Sequence, residues 1–230
     1  MTTREQQREQ QREQRREKQE RRGARRKGVA PSTSLRPHFV SLARQVSRWA
    51  DNFQKRPVSI GVTSLNAQAG RSTISFNLAS ALTSVNREKV LLVEADFGKH
   101  YITRRIGEAR STGLAEVLLG FAEPAEVVHE TPLNNLQVIG CGRKSGQEAL
   151  ELPFDLLGNV MAEQFDEYGF TIYDLPVASD LTSCFSIASQ LDGIILAVEA
   201  NQIDQRHVNR FRRRLENVGV EILGVVINKS

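Results

Sequence analysis

Six short apolar runs, nearly continuous and rich in β-branched residues, constrain the fold more than any other feature of this sequence. A strand that is apolar on both faces has to be buried on both faces, which is typical of parallel sheets. Stretches of helical character separate the runs, at 72–85, 154–165 and 205–218. This alternation predicts an α/β fold, with helices flanking a mostly parallel sheet. The runs span residues 58–62, 90–93, 136–139, 170–173, 193–198 and 222–227.

The charge of the chain is unevenly distributed. Residues 1–30 contain 11 Lys and Arg against five Asp and Glu, whereas the other 200 residues contain 20 and 22. The basic pI of 9.3 therefore comes from the N-terminal segment, and the near-neutral remainder makes nucleic acid an unlikely partner. Residues 4–22 have no apolar side chain, so this basic Arg/Gln/Glu-rich arm is expected to be disordered or a solvated helix. It either solubilises the protein or contacts anionic lipid headgroups, nucleic acid or an acidic partner.

Residues 31–57 are predicted to form a linker and then an amphipathic helix that ends at Pro57, ahead of a domain spanning 58–230. This helix either packs on the domain or docks onto a partner. No apolar run reaches the roughly 20 residues of a membrane-spanning helix. Cys141 and Cys184 cannot form a disulfide framework, which favours a cytoplasmic location. The apolar positions of the helix are Phe39, Leu42, Val46, Trp49 and Phe53.

The segment after the first apolar run has the context of a phosphate-binding loop, in which backbone N–H groups surround an anion at a helix start. Gly70 permits close approach of the backbone, Arg71 stands where a P-loop has lysine, and Ser72 stands where a hydroxyl binds Mg²⁺. Leu65 replaces the first glycine of G-x-x-x-x-G-K-[ST], so the match is incomplete. The predicted nucleotide-binding residues of this loop are Ala67, Gln68, Ala69, Gly70, Arg71, Ser72 and Thr73.

Acidic side chains follow two other apolar runs. Glu94 and Asp96 come after the second run, and Asp174 comes after the fourth. Because the carboxyl ends of parallel strands meet at one edge of a sheet, the sequence predicts a Mg²⁺ site formed by Ser72, Asp96 and Asp174. Asn228, at the end of the last run, either pairs with a base edge or simply forms a turn.

From about residue 58 to residue 229 the chain resembles the MinD/ParA-type deviant P-loop ATPases, and among them the CpsD/CapB-type tyrosine autokinases of bacterial polysaccharide export. Thr63-Ser64 followed by Gly70 resembles Walker A, VLLVEAD at 90–96 resembles Walker A′, and IYDLPV at 172–177 with Asp180 resembles Walker B. GLAEVL at 113–118, DGIILAV at 192–198 and GVVINK at 224–229 resemble further segments of these kinases.

The resemblance implies a P-loop NTPase fold, with ATP and Mg²⁺ as cofactors. It implies a role beside a membrane-embedded polysaccharide co-polymerase or chain-length protein, peripheral at the inner face of the plasma membrane. Glu94 is then the candidate base, Arg71 the cation on the phosphates, and Asn228 the contact to adenine. Homo-oligomerisation stays open, because only Arg44 matches the Glu-x-x-Arg-x-x-Arg helix of these kinases.

The chain also departs from that family. Arg71 replaces the Walker A lysine, Asn66 stands at the deviant-loop lysine, and Gly98 replaces an arginine. Gln68 would strain the loop if that position required a positive φ. Nucleotide binding needs amides, a cation and a metal, whereas phosphoryl transfer also needs accurate charge placement. These departures therefore favour a nucleotide-binding protein with weakened or lost catalysis and a regulatory role.

Two alternatives stay open at this point. An active MinD/ParA-type ATPase that positions a membrane-associated machine would show partner-stimulated hydrolysis. A non-enzymatic interaction module with an empty site would show no affinity for nucleotide.

Overall fold

A computed structural model describes residues 37–53, 57–107, 112–143, 147–162, 165–178, 181–200 and 205–228. The basic arm, the start of the linker, Asp180 and Lys229 lie outside these described residues, and what was predicted for them stays a prediction. Within the described part of the chain, no helix is both long enough and apolar enough to cross a bilayer.

All six apolar runs form β-strands, as predicted, with ends that differ by at most two residues. A further strand, β3, has only three residues and carries too little pattern to be recognised in the sequence. The strands are β1 (Val58–Ser64), β2 (Lys89–Glu94), β3 (Val128–Glu130), β4 (Leu136–Ile139), β5 (Tyr168–Asp174), β6 (Gly193–Glu199) and β7 (Glu221–Asn228).

The strands form one sheet in the order β3-β4-β2-β5-β1-β6-β7. All pairs are parallel except β3, which runs antiparallel to β4 at the edge. This arrangement confirms the predicted mostly parallel α/β sheet. Strand β5 lies between β2 and β1, and Asp174 is in register with both Glu94 and Val62. The loops that follow β1, β2 and β5 therefore leave the sheet side by side.

Helices cover both faces of the sheet, and two of the three predicted helical stretches match α2 and α8 closely. The stretch predicted at 154–165 is instead a 3₁₀ turn, Phe154–Leu156, followed by α6. The described helices are α1 (Pro37–Ala50), α2 (Arg71–Asn86), α3 (Tyr101–Ile106), α4 (Leu114–Leu118), α5 (Gln147–Leu150), α6 (Leu157–Ala162), α7 (Leu181–Ala188) and α8 (Gln205–Asn217).

Helix α1 confirms the amphipathic prediction, but it ends at Ala50 and not at Pro57. The Asn52 side-chain amide donates to the carbonyl oxygen of Trp49 at 3.0 Å, which satisfies a group that helix ends leave open. The helix thus ends seven residues before the proline, with this hydrogen bond at its last turn. The apolar face of α1 buries Ala43 and Val46 in the core shared with α2, as expected if this helix packs on the domain.

Strand β7 differs from the prediction that every apolar run is buried on both faces. It is the edge strand beside β6, and Val225 and Ile227 are 50% and 58% exposed. Continuous hydrophobicity indicates that a strand belongs to a parallel sheet. It does not indicate whether a further strand or helix covers the outer edge of that strand.

Candidate functional site

The predicted phosphate loop lies at the carboxyl end of β1, beside the end of its neighbour β5 and one strand away from the end of β2. The loop leaves β1 at Ser64 and enters α2 at Arg71. Ser64 Oγ donates to the carbonyl oxygen of Asn66 at 2.6 Å, and Ala69 N–H donates to the same oxygen at 3.4 Å. The turn is therefore closed by its own groups. Gln68 does not have a positive φ, so the expected backbone strain is not found.

Gly70 is the residue that allows this turn to run into a helix. Its φ is +77°, a left-handed conformation that glycine adopts without steric cost. No side chain caps α2 at this end, so the N–H groups of its first turn lack helical acceptors. A 16-residue helix that starts in this way offers both N–H donors and the positive end of its dipole to an anion.

Asn228 packs against the same glycine. Its Nδ2 donates to the carbonyl oxygen of Ala69 at 3.2 Å. A Cβ at position 70 would lie 2.3 Å from that nitrogen. In this structure the Asn228 amide therefore joins the end of β7 to the phosphate loop. Its contact with adenine stays a prediction.

Arg71 is buried, with 4% of its side chain exposed, and it forms an ion pair with Asp96. Its Nη1 also donates to Ser64 Oγ at 3.3 Å. Asp96 accepts a second bond, from the N–H of Gly98 at 3.1 Å. The guanidinium and this carboxylate, predicted to serve the phosphates and the metal, thus bind each other in the structure.

Asp174 is fully buried at the end of β5, and burial raises the pKa of its carboxyl from 3.8 to about 7. The nearby Ser72 hydroxyl and the Arg71 guanidinium lower this pKa, whereas the Asp96 carboxylate raises it. Ser75 Oγ donates to Oδ1 at 3.1 Å. The other oxygen, Oδ2, is buried without a hydrogen-bond partner. An orphaned carboxylate oxygen beside a serine hydroxyl suits a hard cation such as Mg²⁺.

The raised pKa of Asp174 predicts a pH-dependent stability. Between about pH 4 and pH 7 the native state keeps a proton that the unfolded chain releases, so in metal-free buffer stability falls as pH rises and then levels off. Asp174→Asn cannot ionise, and we expect it to raise the free energy of unfolding by roughly 1–3 kcal/mol above about pH 8. Urea denaturation across this pH range measures the effect.

The control for this experiment is Asp51→Asn, which alters an exposed carboxyl of the turn after α1. Only the difference between each variant and the wild-type protein counts, because other groups titrate over the same range. A difference for Asp174→Asn that does not change with pH would contradict the predicted titration.

Glu94, the candidate base, is placed differently from the other predicted residues. Its carboxylate is fully buried and accepts hydrogen bonds from the N–H groups of Ile102, at 2.7 Å, and Thr103, at 3.0 Å. The Thr103 hydroxyl also donates to it. In this structure Glu94 therefore holds the first turn of α3 against the end of β2. The sequence carried no signal for this, because six residues give α3 too short a pattern to predict.

A cleft of about 800 Å³ opens over the loop and the start of α2. The segment after β2 and helix α3 also line the cleft, and together they supply three cations. Lys99 Nζ donates to the carbonyl oxygen of Ala67 at 2.7 Å, and the Arg105 guanidinium lies 4.6 Å from the centre of the Phe76 ring. The lining residues are Ala67, Gln68, Gly70, Arg71, Ser72, Thr73, Gly98, Lys99, Tyr101, Arg104 and Arg105.

The structure thus brings most of the predicted loop residues to the cleft, and it adds four that sequence reasoning missed: Lys99, Tyr101, Arg104 and Arg105. The available signal was their position, because these residues directly follow the acidic end of the second apolar run. Asp96, Asp174, Ala69 and Asn228 lie around the loop but do not line this cleft.

The three tyrosines have different environments. Burial raises the pKa of Tyr173, and it raises the pKa of Tyr168 to about 12. Tyr101 is 37% exposed and lines the cleft, and the Thr73 hydroxyl donates to its phenolic oxygen at 3.4 Å. Tyr101 is therefore the tyrosine that this fold places at the candidate nucleotide site.

The sequence is similar to bacterial tyrosine-protein kinases and to a succinoglycan biosynthesis transport protein. It is 26% identical over 174 residues to the tyrosine-protein kinase CpsD of Streptococcus agalactiae, covering 74% of each chain. The resemblance predicted from the motifs is confirmed. The chain is also 28% identical to the succinoglycan biosynthesis transport protein ExoP of Rhizobium meliloti, over 74% of this chain but only 22% of ExoP. No family model matches.

Solved structures support the fold. The kinase domain of the Escherichia coli tyrosine kinase ETK superposes with a TM-score of 0.72 at 22% identity, covering 83% of this chain and 75% of that domain. The septum site-determining protein MinD of Pyrococcus horikoshii, complexed with Mg-ADP, gives 0.64 at 22% identity, covering 75% and 70%. The predicted P-loop NTPase architecture is thereby confirmed.

Proposed function

We propose that this protein binds ATP and Mg²⁺ in the cleft and transfers the γ-phosphoryl group slowly or not at all. It would then act as a nucleotide-responsive component of exopolysaccharide or capsule synthesis. One observation carries the proposal: the uncapped start of α2 opens into the cleft, while the Arg71 side chain beside it is engaged by Asp96.

Phosphate binding rests on backbone groups and on cations from α3 and the segment before it. The N–H groups of the first turn of α2 provide donors that no side chain satisfies. Lys99, Arg104 and Arg105 line the same cleft and bring positive charge to it. A nucleotide polyphosphate fits this arrangement better than an uncharged ligand, because positive charge and N–H donors line one space.

The donor set also fits Mg²⁺. The described residues hold no cluster of three His, Cys, Asp or Glu side chains, which argues against an all-protein metal cage there. Mg²⁺ commonly uses one or two carboxylates together with nucleotide phosphates. Ser72, which lines the cleft, would hold the ion, and the buried Asp174 would reach it through the Ser72 hydroxyl or a water molecule, with Asp96 nearby. When bound, Mg²⁺ would offset the negative charge of the phosphates.

Weak catalysis is expected because the charged groups that would act in phosphoryl transfer are already bound to other parts of the protein. The Arg71 guanidinium is paired with Asp96, so it would have to leave a buried ion pair in order to neutralise charge between the phosphates. The Glu94 carboxylate accepts three hydrogen bonds from the start of α3, which leaves it poorly placed to take a proton from an acceptor. Phosphoryl transfer depends on positioned charge more than on any other protein contribution.

The names of similar proteins suggest a setting for this activity. CpsD is named as a tyrosine kinase and ExoP as a polysaccharide biosynthesis transport protein. The chain would act in the cytoplasm, bound to a membrane-embedded polysaccharide co-polymerase or chain-length protein. Homo-oligomerisation stays a prediction.

The test is calorimetric titration of the full chain with ATP and ADP, with and without Mg²⁺. We expect binding that Mg²⁺ strengthens, and a loss of that Mg²⁺ effect in Asp174→Ala. Lys99→Ala is expected to weaken nucleotide binding about tenfold, because a cation at the phosphates is lost. Lys89→Ala removes an exposed lysine that pairs with Glu167 outside the cleft, and it should leave the affinity unchanged. Absence of binding in the wild-type protein would favour the interaction module with an empty site.

Turnover assays on the same samples separate the remaining candidates. Partner-stimulated hydrolysis would favour an active MinD/ParA-type ATPase. Slow autophosphorylation is a second candidate, because Tyr101 lies in the cleft with its oxygen bonded to Thr73. In that case phosphotyrosine would form in the wild-type protein and disappear in Tyr101→Phe.

A further inference from the structure

Helix α8 concentrates positive charge on a domain that is otherwise acidic. Its 13 residues include five arginines and one glutamate. Arg210, Arg213 and Arg214 are exposed, and Arg212 forms an ion pair with Glu216 at 3.4 Å. Residues 31–230 together carry 20 basic and 22 acidic side chains, so this helix is a local excess within a slightly acidic body.

The packing of α8 turns these arginines outward. Phe211 and Leu215 are buried in the core on one face of the sheet, and Phe211 makes an edge contact with Phe185 of α7 at 5.5 Å between ring centres. On a helix, residues 210, 213 and 214 lie away from the line through 211 and 215. The buried side chains attach the helix to the domain, and the three arginine side chains face the solvent.

Exposed aliphatic side chains accompany this charge. Val225 and Ile227 of β7 are in register with Leu196 and Val198 of β6, whose side chains belong to the core that α8 covers. Since register partners in a parallel sheet point to the same face, Val225 and Ile227 lie on the side of the sheet that carries α8. Val218, just beyond the end of α8, is 44% exposed.

We infer that α8 and the outer part of β7 form a docking surface for an anionic lipid bilayer. The surface, called here the basic face, consists of Arg210, Arg213, Arg214, Val225 and Ile227. Arginines attract anionic headgroups, and neighbouring aliphatic side chains gain from burial at the boundary with the acyl chains. The basic face would orient the domain on the membrane independently of nucleotide.

Other occupants fit these residues less well. The N-terminal arm carries a large excess of Lys and Arg, so the arginines of α8 would repel it. A nucleic acid backbone would use the arginines but would offer nothing to Val225 and Ile227. Base stacking needs aromatic side chains, and the basic face has none. An anionic bilayer can bind both kinds of side chain, because its headgroups attract the arginines and its acyl chains bury the aliphatic groups.

The experiment is sedimentation of the full chain with vesicles of phosphatidylcholine alone or of phosphatidylcholine mixed with phosphatidylglycerol. We expect binding only to the mixed vesicles, and weaker binding at high salt. The triple variant Arg210→Gln, Arg213→Gln, Arg214→Gln should weaken this binding by at least about tenfold. Val225→Thr with Ile227→Thr should also weaken it, and threonine keeps the β-branched shape that suits a strand. A thermal melt checks that each variant is folded.

The matched control changes the same charge elsewhere: Arg4→Gln, Arg8→Gln and Arg12→Gln in the N-terminal arm. A smaller loss for this control than for the α8 variant supports the basic face. An equal or larger loss in the control overturns it, because binding would then follow total charge or the arm. Absence of wild-type binding to the mixed vesicles, or binding to a short DNA duplex that displaces the vesicles and persists in the Thr variant, also overturns it.

Discussion

Gly70→Ala is expected to weaken nucleotide binding by at least about tenfold and to destabilise the fold by more than the roughly 1 kcal/mol of backbone strain alone. The strain arises because the φ of Gly70 is +77°. The additional cost arises because the new Cβ would lie 2.3 Å from Asn228 Nδ2, so the amide that joins β7 to the loop has to move. Calorimetric titration and urea denaturation measure the two effects.

Gly120→Ala is the matched control, because the φ of Gly120 is +73° and no atom lies within 4 Å of its added Cβ. It should show the strain without the loss of binding. Gly70→Ala combined with Asn228→Ala should recover part of the stability, since the collision is relieved. If Gly70→Ala and Gly120→Ala lowered the free energy of unfolding equally, and nucleotide binding stayed intact, the role assigned to the loop would be contradicted.

Arg71→Met is expected to lower the free energy of unfolding by about 3–5 kcal/mol, the usual cost of leaving one partner of a buried ion pair alone. The Asp96 side chain is 9% exposed and would be left without its ion-pair partner near the buried Asp174. Adding Asp96→Asn should restore much of the loss, because the uncompensated charge is then removed. Urea denaturation of Arg71→Met, Asp96→Asn, the double variant and the wild-type protein completes this double-mutant cycle.

Arg212→Met provides the comparison at the surface. It breaks the ion pair with Glu216, in which both side chains are more than half exposed, and such pairs contribute only about 0–1 kcal/mol. If Arg71→Met lowered the free energy of unfolding no more than Arg212→Met does, Arg71 and Asp96 would not form the buried ion pair that the structure shows. The proposal that this pair holds Arg71 away from the phosphates would then lose its basis.

The strands were predictable because six apolar runs in succession leave little alternative to a parallel sheet. The short elements were not, since β3 and α3 are too brief to show a period. The exposure of Val225 and Ile227 was also hidden, because it depends on β7 being the last strand of the sheet. Helix α1 ends at Ala50, where the Asn52 amide bonds back to the carbonyl of Trp49. The sequence pointed instead to Pro57, which lies further along the chain.

For the candidate site, the sequence by itself determined which residues follow the strands, and therefore that the loop at Gly70, Asp96 and Asp174 would come together at one edge of the sheet. Only the tertiary structure decided what each side chain binds: Arg71 pairs with Asp96, and Glu94 caps α3. The physical reason is that the hydrophobic pattern, which places the strands, can be read along the chain. An ion pair or a cap depends instead on distances between groups that are separated in the sequence.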